Sequence, residues 1–113
     1  MNKELLIALG AGVGAPARYL LDQTIKKWHR SMIPIETLAI NTVGSFILGL
    51  TAHQKQSIVY VVGIGFAGAF TTWSAFALEA HHMMKKSHQK QAYLYLALTL
   101  VMGISAAAVG NLL

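Results

Sequence analysis

The sequence predicts an all-α membrane protein with four transmembrane helices, and three observations support this fold class. The chain of 113 residues is 55% hydrophobic and only 12% charged, whereas soluble domains carry roughly a quarter charged residues. The apolar residues gather into four blocks, and each block is close to the roughly 20 residues that cross a bilayer. Only short polar connections separate the blocks, so we expect one four-span membrane domain over residues 1–113.

Each block has features expected of a membrane-spanning helix. The predicted spans cover approximately residues 5–21, 35–53, 56–80 and 92–113. The first block loosely resembles a signal peptide, but Pro16 spoils the cleavage site and three further apolar blocks follow, so we interpret it as a retained span. Pro34 begins the second block, where proline is tolerated in the first helical turn. Tyr93 and Tyr95 lie near the start of the fourth block, as interfacial aromatics do.

The third block contains an unusual polar stretch in the middle of an uncharged apolar segment. Its sequence is Gly68-Ala69-Phe70-Thr71-Thr72-Trp73-Ser74-Ala75-Phe76. Small residues and adjacent threonines at this depth predict a break in the helix. Irregular backbone in a membrane is tolerated only where it is buried in protein or lines a cavity. Because exposed carbonyls and hydroxyls are ligands for small ions, this stretch predicts a functional site inside the span.

The distribution of basic residues favours a membrane interface over nucleic acid. The net charge is +5, but the basic residues form short clusters that flank the apolar blocks, so we expect no nucleic-acid partner. One side of the membrane would hold Lys26, Lys27, Arg30, Lys85, Lys86 and Lys90, whereas the other would hold only Lys3 and Lys55. The positive-inside rule then places both longer loops in the cytoplasm and both termini outside.

The first span carries a pattern of small residues that ends at an arginine. Gly10, Gly12 and Ala15 match a dinucleotide-binding fingerprint, but the chain lacks the alternation of strand and helix that this fold needs. Gly10 and Gly14 instead form a G-x-x-x-G face, which predicts close contact with another helix. Arg18 continues this face, where it either extends to the membrane interface or attracts anions toward a pore.

Two further groups of residues are candidates for contact with an anion. Asn41 shares one helical face with Gly44 and Ser45, and its amide either ties two helices together or donates to a passing anion. Trp73 and Phe76 also share a face. The positive edges of their rings can contact a small anion weakly, although ordinary ring packing is the alternative.

Taken together, these motifs resemble the Fluc (CrcB) fluoride channel family. The resemblance rests on Gly10, Gly14 and Arg18, on the run Asn41-Thr42-Val43-Gly44-Ser45-Phe46, and on Gly65-Phe66-Ala67-Gly68-Ala69-Phe70-Thr71-Thr72-Trp73-Ser74-Ala75-Phe76. It covers essentially the whole chain, including its length, span number and motif order. The resemblance implies passive, fluoride-selective conduction that exports fluoride from the cytoplasm and reduces its toxicity, without enzymatic activity.

The resemblance also implies a dual-topology dimer of two antiparallel subunits with two fluoride pores. A structural sodium ion (Na⁺), which is not transported, would lie at the dimer centre on backbone carbonyls at positions matching Gly68 and Thr71. We expect glycine there to supply conformational freedom. The fluoride pore would be lined by Asn41, Thr72, Trp73, Ser74 and Phe76, with Arg18 attracting anions and Ser105 continuing a polar track.

Two features depart from the family pattern. Trp73 stands where the family usually has phenylalanine, which puts the rate or the activity of one pore in doubt. Six basic residues against two favour a fixed orientation. We therefore expect pairing with an oppositely oriented homologous subunit as the alternative to self-pairing.

Two alternative functions remain to be weighed. A four-span multidrug exporter needs a carboxylate at mid-span, but Glu4, Asp22, Glu36 and Glu79 are predicted to lie at span ends. A non-conducting membrane subunit of a heteromeric channel would tolerate changes at Gly68 and Asn41.

Overall fold

The protein is a bundle of helices, and its third membrane segment is broken. The computed structural model describes residues 2–28, 33–85 and 88–113; Arg30 and Lys86 and the side chains of Trp73 and Ser74 lie outside this description. The helices are α1 (Lys3–Trp28), α2 (Ile35–Thr51), α3 (residues 56–70), α4 (Trp73–Lys85) and α5 (Gln89–Leu112). Three segments are long and apolar enough to cross a membrane, namely Lys3–Trp28, Gln56–Lys85 and Gln89–Leu112, and the shorter α2 is also apolar. These helices confirm the predicted all-α fold.

The helices differ at their ends from the predicted spans. α1 continues past residue 21 to Trp28. In this extension Asp22 and Lys26 form an ion pair one turn apart, with 3.1 Å between Oδ2 and Nζ. Pro16 lies inside α1 without ending it. α5 begins at Gln89, a few residues before the predicted start at residue 92.

The third segment changes its helical form twice before it breaks. In α3, a short α-helical start (Gln56–Ile58) is followed by a π-helix (Val59–Ala67) and a last α-helical turn (Gly68–Phe70). Thr71 then takes an extended conformation with φ −77° and ψ 159°. α4 starts at Trp73, so the predicted break in the third helix is confirmed. The π-helix was not predicted from the sequence.

α1 packs closely against α3 through the predicted glycine face. Gly10 and Gly14 are the buried residues of α1. A side chain at Gly10 would collide with the carbonyl oxygen of Val61, and one at Gly14 would collide with that of Phe66. The predicted contact of the G-x-x-x-G face is therefore confirmed.

A second glycine contact joins α2 to α5. A Cβ atom at Gly49 would collide with the carbonyl oxygen of Ala107, and one at Gly110 would collide with that of Phe46. The backbones of these two helices therefore approach as closely as those of α1 and α3. Gly49 and Gly110 lie far apart in the sequence, and this contact was not predicted.

One end of the bundle holds a compact apolar core, whereas most other large apolar side chains face outward. The core cluster consists of Leu38, Phe76, Ala80, Met83, Ala92 and Tyr95, from α2, α4 and α5. Exposed apolar residues include Leu20 and Ile104, which are 65% and 68% exposed. An outer surface of this kind suits lipid, where apolar side chains lose nothing by facing outward.

Candidate functional site

The centre of the candidate site is the break between α3 and α4, which is fastened to α2 by Asn41. The Nδ2 group of Asn41 donates a hydrogen bond to the Thr72 carbonyl oxygen at 3.2 Å. The Thr72 backbone N–H donates in turn to Oδ1 of Asn41 at 2.8 Å. One half-buried side chain therefore pairs with both backbone groups of Thr72. This reciprocal pair satisfies backbone groups that a break inside a membrane would otherwise leave without partners.

The two threonines use their hydroxyls to complete the ends of the flanking helices. Thr71 Oγ1 donates to the carbonyl oxygen of Ala67 at 3.0 Å, and the Thr71 N–H donates to the same oxygen, also at 3.0 Å. Thr72 Oγ1 accepts the backbone N–H of Ala75 at 3.3 Å. Thr72 is therefore the N-cap of α4, a position at which threonine is favoured for this bond.

These side-chain bonds redirect the donors that a continuous helix would supply to two carbonyls. In an unbroken α-helix, Gly68 would accept from the N–H of Thr72, and Thr71 would accept from that of Ala75. Here the Thr72 N–H donates to Asn41, and the Ala75 N–H donates to the Thr72 hydroxyl. The carbonyls of Gly68 and Thr71 are thereby freed from their regular helical donors, although the Thr71 hydroxyl, which donates to Ala67 at 3.0 Å, also makes a longer contact with the Gly68 carbonyl oxygen at 3.5 Å. Backbone oxygens are the ligands that hard cations prefer, so the predicted sodium ligands fit such an ion.

Gly68 has a regular helical backbone, whereas we expected this site to use the conformational freedom of glycine. Its φ of −62° and ψ of −41° are ordinary α-helical values, so the expected need for glycine's conformational freedom was wrong. A Cβ atom at Gly68 would meet no neighbouring atom within 4 Å, and the residue is exposed. The absence of a side chain therefore leaves an open approach to this turn of the helix.

One groove is lined by four of the nine predicted site residues. Asn41, Gly68, Thr71 and Thr72 all line a groove of about 450 Å³ between α2 and the third segment. Gly44 also lines it, and an added Cβ atom there would collide with the γ-methyl of Thr71. Four of the residues predicted from the sequence are thus brought together.

Phe76 lies away from this groove, in the core of the bundle. Its side chain is 4% exposed, and its ring centroid lies 5.1 Å from that of Tyr95 with the planes at 57°. This contact is the packing role that the sequence left open, and a pore role for Phe76 stays a prediction. The predicted pore side chains of Trp73 and Ser74 lie outside the described part of the chain.

Arg18 and Ser105 are not among the residues that line the groove at the break. Arg18 is half-buried on α1, one turn beyond Gly14, and α1 also contacts the segment Gly68–Phe70. Ser105 is exposed on α5 and lines a separate groove with Phe46 and Met102. The structure therefore does not join Ser105 to Asn41, and its place on a polar track stays a prediction.

A second polar cluster, which the sequence analysis missed, lies beside the apolar core. The Tyr95 hydroxyl donates to Oε1 of Glu79 at 3.2 Å, and the buried hydroxyl of Thr37 lies beside them. Glu79 is half-buried within α4, which continues past the predicted end of the third span at residue 80 to Lys85. Charged groups inside membrane segments are usually paired in this way.

A further hydroxyl, that of Thr99, lies one turn beyond Tyr95 on α5. The side-chain oxygen of Thr99 is buried, and it has no hydrogen-bond partner among the residues that the structure describes. Tyr95 and Thr99 stand four positions apart on one helical face. That spacing of hydroxyls within an apolar span was the signal available in the sequence.

Comparison with known proteins relates the whole chain to one family. The family model described as "CrcB-like protein, Camphor Resistance (CrcB)" matches residues 5–111. A relative from Ligilactobacillus salivarius, named "Fluoride-specific ion channel FluC 1", is 40% identical over 108 residues, which cover 93% of each chain. A protein of the same name from Halalkalibacterium halodurans is 38% identical and covers 94% of this chain and 92% of its own length. "Fluoride-specific ion channel FluC" from Caulobacter vibrioides is 34% identical over 99% of this chain and 94% of its own length.

Proposed function

Because this chain belongs to the CrcB-like family, we propose that it forms a fluoride-selective ion channel that exports fluoride passively from the cytoplasm. The relatives that cover most of the chain carry the name of a fluoride-specific channel. The chain is a multi-pass membrane protein with long apolar helices. Passive export lowers cytoplasmic fluoride, because a negative interior favours exit of an anion by roughly 2.3 kcal/mol per 100 mV.

The observation that carries this proposal is the fastening of the broken segment to Asn41 within an apolar span. A broken helix with fixed polar groups at membrane depth is the arrangement through which membrane proteins handle small ions. Of the two hydrogens on Asn41 Nδ2, one binds the Thr72 carbonyl, which leaves the second to donate to an anion. The Thr72 hydroxyl accepts from Ala75, so its own proton is also free to donate.

These donors meet the chemical requirement of fluoride, which is small and holds its water tightly. N–H and O–H groups must replace that water along a narrow path. In the proposed pore, Asn41, Thr72 and Ser74 supply these donors, and Trp73 and Phe76 supply the positive edges of their rings. Arg18 and the basic loops raise the local concentration of anions at the entrance.

The carbonyls of Gly68 and Thr71 hold a structural sodium ion in this proposal. Sodium is a hard cation and is suited to oxygen ligands. In this proposal it would be structural and would not be transported. Two carbonyls complete only half of a four-oxygen site, so a second, antiparallel subunit supplies the rest. The open surface at Gly68 supports that arrangement. The second subunit is another copy of the chain or, as the bias of basic residues favours, an oppositely oriented homologue.

Fluoride efflux from liposomes tests the proposed function. We expect the purified chain, alone or with a homologous partner, to release fluoride much faster than chloride, and to do so only when sodium is present. Release of neither anion, with or without the partner, would overturn the channel proposal. Proton-driven efflux of organic cations in its place would indicate a small multidrug exporter.

A further inference from the structure

We propose that Asn41 is a positioning residue that creates the cation site by holding the helix break open. This inference rests on the proposed function and assigns Asn41 a second role besides donating to an anion. The supporting contact is the reciprocal pair with Thr72, in which Asn41 Oδ1 accepts the backbone N–H at 2.8 Å. That N–H is the one that a continuous helix would direct to the carbonyl of Gly68.

The sequence around the break shows why an external partner is needed. Neither Thr71 nor Thr72 is a proline or glycine, the residues that usually end helices. In a membrane, a backbone N–H left without a partner is unfavourable by several kcal/mol, so an isolated segment restores its own helical bonds. Asn41 provides the alternative partner, and its Nδ2 group binds the Thr72 carbonyl at 3.2 Å at the same time. The helix therefore stays broken because α2 offers its backbone a substitute.

The same side chain thereby links the two ions of the proposed channel. Its oxygen keeps the Thr72 N–H away from the Gly68 carbonyl. That carbonyl then has a long 3.5 Å contact with the Thr71 hydroxyl, whose shorter bond goes to Ala67, and it stays available to a cation. Its second amide hydrogen remains for an anion in the groove that Asn41, Gly68 and Thr71 line. Cation binding and anion conduction should therefore respond differently to changes that remove only one part of the amide.

Two substitutions at Asn41 separate these parts. Asn41→Leu keeps the approximate size of the side chain but removes both acceptor and donor. Asn41→Asp keeps an oxygen that accepts from Thr72 but lacks the amide donors and adds a charge that repels fluoride. Thr42→Val is the matched control, because the Thr42 hydroxyl donates only within α2, to the carbonyl of Leu38 at 2.7 Å.

The experiment measures sodium binding independently of conduction. The thermal midpoint of each purified variant is followed in detergent as sodium replaces choline at constant ionic strength, and fluoride efflux is measured separately. For Asn41→Leu, we expect half-maximal stabilisation to require about tenfold more sodium, as loss of a buried hydrogen-bond partner predicts. Asn41→Asp should retain the sodium response of the unmodified chain and lose fluoride efflux, and Thr42→Val should retain both.

The outcomes distinguish this inference from the proposed function. If Asn41→Leu keeps an unchanged sodium response, or if Asn41→Asp loses it to the same extent as Asn41→Leu, Asn41 does not create the cation site. If Asn41→Leu does not fold, loss of the sodium response in Asn41→Asp overturns the inference, and its retention supports it. If the unmodified chain responds to sodium but releases no fluoride, the channel proposal fails while the role of Asn41 at the cation site stands.

Discussion

Gly44 of α2 lies directly against the γ-methyl of Thr71, so the broken segment rests where α2 has no side chain. This contact and the pairing of Asn41 with Thr72 occur one turn apart on the same helix face. α2 therefore acts as the support on which the break is held, and changes to this support should affect the break.

We expect Gly44→Ala to destabilise the protein and to reduce fluoride efflux. The added methyl would collide with Thr71, and overpacking of a packed interior is unfavourable by about 1–3 kcal/mol. The thermal midpoint in detergent and liposome efflux report the two effects. Gly103→Ala is the control, since its Cβ atom would lie 3.6 Å from Ser45 Oγ, an ordinary contact. Equal behaviour of the two variants would contradict the supporting role of Gly44.

The N-cap of α4 gives a prediction about the Thr72 hydroxyl. Thr72→Ala should lower the free energy of unfolding by about 1 kcal/mol, because the Ala75 N–H loses its acceptor. Thr72→Ser keeps the hydroxyl and should restore stability. Loss of stability in both variants would instead point to the methyl group of Thr72.

The close contact of α1 with α3 predicts a difference between two neighbouring glycines. Gly10→Ala should destabilise the protein, since its methyl would collide with the backbone at Val61. Gly12→Ala should have little effect, because its Cβ atom would have no neighbour within 4 Å. Thermal unfolding of the two variants under identical conditions makes the comparison. A larger loss for Gly12→Ala would show that the outer face of α1 packs against another subunit.

The hydrogen bond between Tyr95 and Glu79 can be tested by a double-mutant cycle. Tyr95→Phe removes the donor and leaves a half-buried carboxyl group with one partner fewer, so we expect a loss of about 1–3 kcal/mol in unfolding free energy. Glu79→Gln weakens the same contact from the other side. If the hydrogen bond matters, the double variant should lose less than the sum of the single variants. Strict additivity would show that the two side chains act independently.

A substitution at Phe76 tests whether its ring only packs in the core or also lines the pore. Phe76→Leu keeps an apolar side chain beside Tyr95 but removes the ring edge. If Phe76 lines the pore, fluoride efflux should fall severalfold although the thermal midpoint changes little. An unchanged efflux rate would assign Phe76 to packing alone.

The sequence was sufficient to predict the helices and the position of the break, because hydropathy and the depth of polar residues depend on local composition. Four site residues, Asn41, Gly68, Thr71 and Thr72, could also be predicted to share one site. The bonds that join the break to α2 could not be predicted, because they link residues 31 positions apart in the chain.

Other features of the structure arise only when helices pack together. The contact of Gly49 with Ala107 depends on the register between α2 and α5, which neither sequence segment shows alone. The pairing of Tyr95 with Glu79 depends in the same way on how α4 meets α5. Phe76 was predicted from its spacing to Trp73, a pattern that is shared by pore-lining and buried rings.

The dependence of the break on α2 has a consequence for how the protein is assembled in the membrane. An isolated 30-residue segment, Gln56–Lys85, would form a continuous helix of about 45 Å at roughly 1.5 Å per residue. That length exceeds the hydrocarbon core of about 30 Å, so the newly inserted segment must tilt or extend beyond the bilayer. In the proposed role of Asn41, docking onto α2 introduces the break and so shortens the segment. If Asn41 has the proposed role, the proposed ion site would be absent from the inserted segment and would arise at the step when the second and third spans meet.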